Sequence, residues 1–147
     1  MKRKMSILWV MLVVMGIVGG TLHAHSNGVA PESLVFTKAI HRCVKQQFCN
    51  NGWCVFWHDY TEDGKADAMT LRPVTKTIIG LPLLAVVDVD GDGMANYYYM
   101  VDIMKTTPND LLNGETVTLW LVGDVSARQI PIDDLGCDYW DRMFRGE

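Results

Sequence analysis

Two stretches of the 147-residue chain carry oxygen-bearing side chains at a repeated spacing. The first is Asp59-Tyr60-Thr61-Glu62-Asp63-Gly64-Lys65-Ala66-Asp67, and the second is Asp88-Val89-Asp90-Gly91-Asp92-Gly93-Met94-Ala95-Asn96. Aligned, both have Asp at position 1, an oxygen side chain at 3, Asp at 5, Gly at 6, Ala at 8 and Asp or Asn at 9. This is the chemistry of a hard cation. Calcium takes about 6–8 oxygens at about 2.3–2.6 Å; a loop that coils round it turns alternate side chains inward and then reverses sharply at a glycine. The expected ligands of the first loop are Asp59, Thr61, Asp63, Asp67 and the carbonyl of Lys65. Those of the second are Asp88, Asp90, Asp92, Asn96 and the carbonyl of Met94. Asp and Gly are also turn residues, so one such stretch can be a bare solvated turn; two in one register favour the cation. Position 12 is Thr70 or Tyr99 rather than a two-oxygen glutamate. The expected affinity is therefore weak, on the order of 10⁻⁴ to 10⁻³ M.

The missing glutamate separates these EF-hand-like loops from a helix-loop-helix EF-hand. Strand-like sequence precedes each loop, Val55–His58 and Leu84–Val87. In this setting the loops resemble the calcium loops of the FG-GAP and VCBS repeat families, which join two strands and follow D-x-[DN]-x-D-G-x-x-D. The resemblance implies the same ligand positions and departs at Thr61, a hydroxyl, and at Asn96, a neutral amide. It covers residues 53–104, under half of the chain that remains after the first 24 residues. Those families build propellers of many blades, which two copies cannot close, so the resemblance implies the loop and not the whole fold. Dockerin loops are similar too, but they begin helices, for which Tyr97-Tyr98-Tyr99 is poor material.

The elements that must position the loops are read next. Residues Pro31–Phe48 predict a helix: Pro31 suits a first helical position, and Phe36, Ile40, Cys43, Val44 and Phe48 fall on one stripe. Strands are expected at Trp53–Trp57, Ala68–Pro73, Tyr97–Met104 and Thr116–Val122. Thr77–Val87 is a bent strand or two short ones, because Gly80 and Pro82 interrupt it. Pro108–Glu115 carries turn chemistry, and Asp133–Arg145 predicts a short helix with Leu135, Tyr139, Trp140 and Met143 inward. The expected fold class is α+β: an N-terminal helix packed on a mostly antiparallel sheet, two strand-loop-strand calcium loops and two disulfides. Trp53, Trp57 and Trp120 are expected in the core, and Tyr98, or the pair Tyr97 and Tyr99, as an exposed patch.

Lys2, Arg3 and Lys4, the apolar run Ile7–Val18 and Leu22-His23-Ala24 read as a secretory signal peptide over residues 1–24, with a second possible cut after Ala30. Residues 25–147 then form a single domain, secreted or periplasmic, which touches a membrane only if the signal stays attached. The chain has 13 basic and 17 acidic residues; without the three basic residues of the signal the balance is 10 minus 17, or −7. That argues against nucleic acid as a partner. Cys43, Cys49, Cys54 and Cys137 are expected to form two disulfides, with the pairing open and Cys137 tying the C-terminal end back to the early part of the domain. The spacing lacks the paired knuckles of a zinc site. A copper site on His25 would need a second histidine from His41 or His58, and nothing else supports it. His58 beside Asp59 reads as loop support, and Ser33 and Ser126 lack a nucleophile motif. No catalytic constellation emerges. The reading is a non-enzymatic calcium-binding module with a protein or glycan partner; the alternative is a small secreted enzyme with purely structural calcium.

Overall fold

The computed structural model describes residues 31–36, 42–75, 78–102 and 117–147. The signal segment, His25, His41 and the turn expected at Pro108–Glu115 lie outside the described residues.

Eight strands and one helix make up the described fold. They are β1 (Ser33–Phe36), β2 (Cys43–Phe48), β3 (Trp53–His58), β4 (Ala68–Thr75), β5 (Ile78–Ile79), β6 (Leu84–Val87), β7 (Tyr97–Val101), β8 (Val117–Asp124) and α1 (Cys137–Phe144). The sheet order is β1-β8-β7-β6-β4-β3-β2, with β5 as a short side pair on β4, and every pairing among these strands is antiparallel. From β2 to β8 this is a meander, and β1 closes the far edge against β8. The central strands are rich in β-branched and aromatic residues, as in Trp53-Cys54-Val55-Phe56-Trp57, and such side chains suit a pleated surface. The interruption at Gly80 and Pro82 separates β5 from β6.

The sheet has two apolar faces. On one, Val55, Trp57, Met69, Leu71, Leu84 and Val86 pack under the C-terminal segment, through Ile132, Leu135 and Trp140. That segment is pinned by polar contacts as well: Trp57 Nε1 donates to the Ile132 carbonyl at 2.9 Å, and the Cys137 N–H donates to Gln47 Oε1 at 2.9 Å. A Cβ at Gly136 would meet Gln47 Oε1 at 2.6 Å, so a larger residue there would displace the Gln47 side chain from the Cys137 N–H. On the other face Leu34, Ala68, Ala85, Val87, Tyr99, Val101, Val117 and Leu119 form a second cluster. A buried polar row crosses it: His58 Nε2 lies 2.9 Å from Thr70 Oγ1, to which Arg72 Nε donates at 3.2 Å. The Arg72 guanidinium lies over Phe56, and burial pulls its pKa down to about 10.

Among the described residues of the expected N-terminal helix, Pro31–Phe48, no helix forms; β1 and β2 stand there instead. Its stripe is not a buried face, since Val44 is 56% and Phe48 58% exposed. The hydrogen-bonding edges of β3 and β8 decide the matter: buried strands need partners for their backbone, and residues 33–36 and 43–48 supply them. Pro31 starts no helix, and its carbonyl accepts a hydrogen bond from the Tyr99 hydroxyl at 2.7 Å. The fold is a mostly antiparallel sheet with one short C-terminal helix.

The expectation of two disulfides is also corrected. One bridge forms, Cys49–Cys137, with Cα atoms 5.4 Å apart, and Cys43 and Cys54 are free. Cys43 pairs with His58 and Cys54 with Phe48. The two thiols are thus offset by four positions, roughly 13 Å of strand, too far for a bridge that needs Cα atoms within about 7 Å. Cys54 is buried, and that burial pushes its thiol up to about 11.

The C-terminal helix forms with Leu135 and Trp140 buried, but Met143 is 42% exposed rather than inward. Trp57 is in the core, whereas Trp120 is 51% exposed. Among the three tyrosines, Tyr99 is buried and Tyr97 and Tyr98 are half-buried; Tyr97 and Tyr99 face one cluster and Tyr98 the other, and the register shift opposite them leaves Val122 of β8 as the extra residue. No helix among the described residues is long and apolar enough to cross a membrane.

Candidate metal centre

The two aspartate-rich stretches are the β3–β4 and β6–β7 connections. Because β4 pairs with β6, both loops lie at one end of the sheet. They touch there: the Asp88 N–H donates to the Asp67 carbonyl at 2.8 Å.

The loops repeat in structure as they do in sequence. Position 4 has positive φ in each, Glu62 at 60° and Gly91 at 76°, and so does position 6, Gly64 at 85° and Gly93 at 88°. The N–H of position 6 donates to the position-1 carboxylate, Gly64 to Asp59 at 2.9 Å and Gly93 to Asp88 at 2.7 Å. The N–H of position 7 donates to position 5, Lys65 to Asp63 at 2.9 Å and Met94 to Asp92 at 2.8 Å. The N–H of position 2 donates to position 9, Tyr60 to Asp67 and Val89 to Asn96, both at 2.7 Å. Tyr60 and Val89 bury into one face of the sheet and Ala66 and Ala95 into the other. The repeated alanine at position 8 therefore marks a small buried slot. The anchoring role of position 2 was not read from the sequence, although its apolar side chains in both copies were the available signal.

The loops differ at position 3. In the second, carboxylate oxygens of Asp88, Asp90 and Asp92 all lie within 4.8 Å of one another. Two ligands on opposite sides of an ion with bonds of about 2.4 Å are at most about 5 Å apart, so these three carboxylates can bound one calcium-sized ion. An all-oxygen donor set without histidine or cysteine suits a hard cation. Asp88 is buried, and burial, with Asp90 adding to it, pushes its carboxyl up to about 6. In the first loop Thr61 Oγ1 sits 3.1 and 3.3 Å from the Asp67 carboxylate oxygens and 3.4 Å from Asp59 Oδ1. The structure thus brings Asp59, Thr61 and Asp67 together around a hydroxyl. Asp63 turns its Oδ1 to the Lys65 N–H. Among the described residues, only the second loop forms a group of three close carboxylates.

Each loop has its own support. His58, at the entry to the first, is stacked on Tyr60 with ring centroids 5.6 Å apart, and Arg42 pairs with Glu62. The second loop is strapped by the chain after β8. The Ala95 N–H donates to the Ile130 carbonyl at 2.8 Å, Ile132 to Gly93 at 2.9 Å and Val125 to Asn96 at 2.8 Å. Residues 125–132 do not stand out in the sequence as part of the site.

No protein-family model, curated protein or solved structure matches this chain.

Proposed function

We propose that the protein is an exported, non-enzymatic calcium-binding module, in which calcium stiffens two loops at one end of a disulfide-bonded sheet and so fixes a surface for a protein or glycan partner. The observation that carries this reading is the convergence of Asp88, Asp90 and Asp92 within 4.8 Å on a loop whose backbone is repeated next to it. Close carboxylates repel one another, and a divalent cation relieves that repulsion in the folded state alone. Export is supported by the basic start and apolar run of residues 2–18 and by the Cys49–Cys137 bridge, which an oxidising compartment favours. The loop sequences resemble those of the FG-GAP and VCBS repeats, and this resemblance is part of the proposal.

Calorimetric titration of calcium into the purified, oxidised protein tests the reading. The stronger binding event is expected to vanish in Asp88→Ala and a weaker one in Asp59→Ala, with a rise in Tm on adding calcium to the unsubstituted protein. No binding heat and no rise in Tm at millimolar calcium would overturn it.

A further inference from the structure

A cleft of about 350 Å³ opens between α1 and the β7–β8 end of the sheet. Its walls are apolar and aromatic, with Val122 and Tyr98 on the sheet side and Tyr139, Trp140 and Met143 on the helix side. Arg128 completes the lining. Arg42 and Arg145 have carboxylate partners, whereas the Arg128 guanidinium has none among the described residues and is exposed. The other charge at the rim, Asp124, is turned back on its own chain. It accepts the Ser126 N–H at 2.8 Å, and the Ser126 bonds hold its carboxyl below the usual range. The Tyr98 and Tyr139 hydroxyls have no hydrogen-bond partner among the described residues. Burial, and Tyr139 beside it, push the Tyr98 phenol up, so it remains a donor at neutral pH.

Two solvent-accessible O–H donors without a protein partner and one unpaired guanidinium thus line a pocket whose other walls, Asp124 at the rim apart, are apolar. We infer that this cleft binds an apolar group ending in a carboxylate, the body packed on Trp140 and Met143 and the carboxylate held by Arg128 with the two phenols. Charge complementarity selects the acid over a neutral ligand, because a guanidinium recognises a carboxylate through paired, charge-assisted hydrogen bonds. The volume lies near the lower end of ligand pockets and suits one ring with a short acidic arm. The inference stands independently of calcium, since none of its groups is a proposed ligand of the ion.

The test uses the purified, oxidised protein with ¹³C-methyl-labelled methionines. The probes are 3-phenylpropionate, its neutral alcohol 3-phenylpropan-1-ol, and a short acetylated peptide ending in Phe. Saturable shifting of the Met143 methyl by the acid is expected, with the buried Met69 methyl unmoved. The acid should bind about tenfold more tightly than the alcohol. Arg128→Gln should remove most of that preference by weakening the acid far more than the alcohol, and Tyr98→Phe should weaken the acid severalfold. If the peptide binds more tightly than the free acid, the carboxylate comes from a chain terminus; if less tightly, from a small molecule. No saturable shift at Met143, equal affinity for acid and alcohol, or an Arg128→Gln protein that keeps the full preference for the acid would overturn the inference.

Discussion

Position 3 of the first loop is Thr61 and of the second Asp90, and the two loops satisfy their carboxylates by different means. In the first, the threonine hydroxyl lies between Asp59 and Asp67, and backbone N–H groups take up the remaining oxygens. That loop is close to complete as a hydrogen-bonded turn. In the second, a third carboxylate stands where the hydroxyl would be; backbone N–H groups reach Asp88 too, and burial raises its carboxyl as it does that of Asp67, and here the neighbouring Asp90 carboxylate adds to the shift. One backbone therefore gives a self-satisfied turn with a neutral donor at position 3 and a cation-demanding one with an acid there. The supports differ too. The first loop leans on neighbours close in sequence, Arg42 and His58, whereas the second leans on residues 125–132.

The largest expected effect comes from the clamp behind the second loop. Replacing Cys49 and Cys137 together by serine, or reducing the bridge, removes a cross-link spanning 88 residues. It should lower stability to urea by about 3–5 kcal/mol. Because the bridge holds α1, and with it the strap on residues 93–96, calcium binding at the second loop should weaken more than at the first. Equal weakening of both would break the contrast in support.

Backbone substitutions should instead treat the loops alike. Gly64→Ala and Gly93→Ala each force a side chain into positive φ with open space around it, so each should cost about 1 kcal/mol in thermal or urea denaturation. A cost confined to one loop would show that the shared backbone is not equally strained.

Changing position 3 sharpens the comparison directly. Thr61→Asp should make the first loop resemble the second, destabilising the calcium-free protein by about 1 kcal/mol and tightening calcium at that loop by about fivefold. Calorimetry with the Asp88→Ala change in the background would isolate the first loop for this measurement. An unchanged affinity would mean that the third carboxylate is not what distinguishes the sites.

The last expected effect is on pH dependence. The Asp88 carboxyl is raised from 3.8 to about 6, by burial first and by Asp90. A carboxyl raised in the folded state stabilises the fold when protonated. That contribution is fully present below 3.8 and is lost as pH rises through about 6. With calcium chelated, Tm should therefore fall between about pH 4 and 6 relative to Asp88→Asn. In millimolar calcium the ion needs the ionised form, so affinity should weaken as pH drops through the same window. Matching Tm profiles for the Asn variant and the unsubstituted protein would remove Asp88 as the source.

The loops were legible in the sequence because their chemistry is local: ligand spacing, the position-6 glycine and the strands on either side all lie within one window. The strands β3, β4, β7 and β8 were legible for a similar reason, through aromatic and β-branched runs. The segment Pro31–Phe48 was not. Its 3–4 spacing of apolar residues is compatible with a helix, and what makes it two edge strands is the unmet hydrogen bonding of β3 and β8, which no local pattern displays. The tie of Cys137 to the early part of the domain was legible, but the count of two disulfides was not, since the register between β2 and β3 sets the separation of Cys43 and Cys54. The strap on the second loop and the cleft with Arg128 depend on contacts between residues some thirty or more apart, and their residue types are ordinary.

The strap also orders events in time. A chain made, or threaded through a membrane, from its N-terminus presents residues 42–67 early, and these contain the first loop's side-chain supports, Arg42 and His58. The second loop has its aspartates by residue 92 but lacks its backbone partners until Ile130 and Ile132 have emerged, and its clamp until Cys137 has found Cys49. Long-range contacts of this kind form late in folding. The more strongly acidic loop is thus the last part of the molecule to be finished, and its completion reports that nearly the whole domain has arrived.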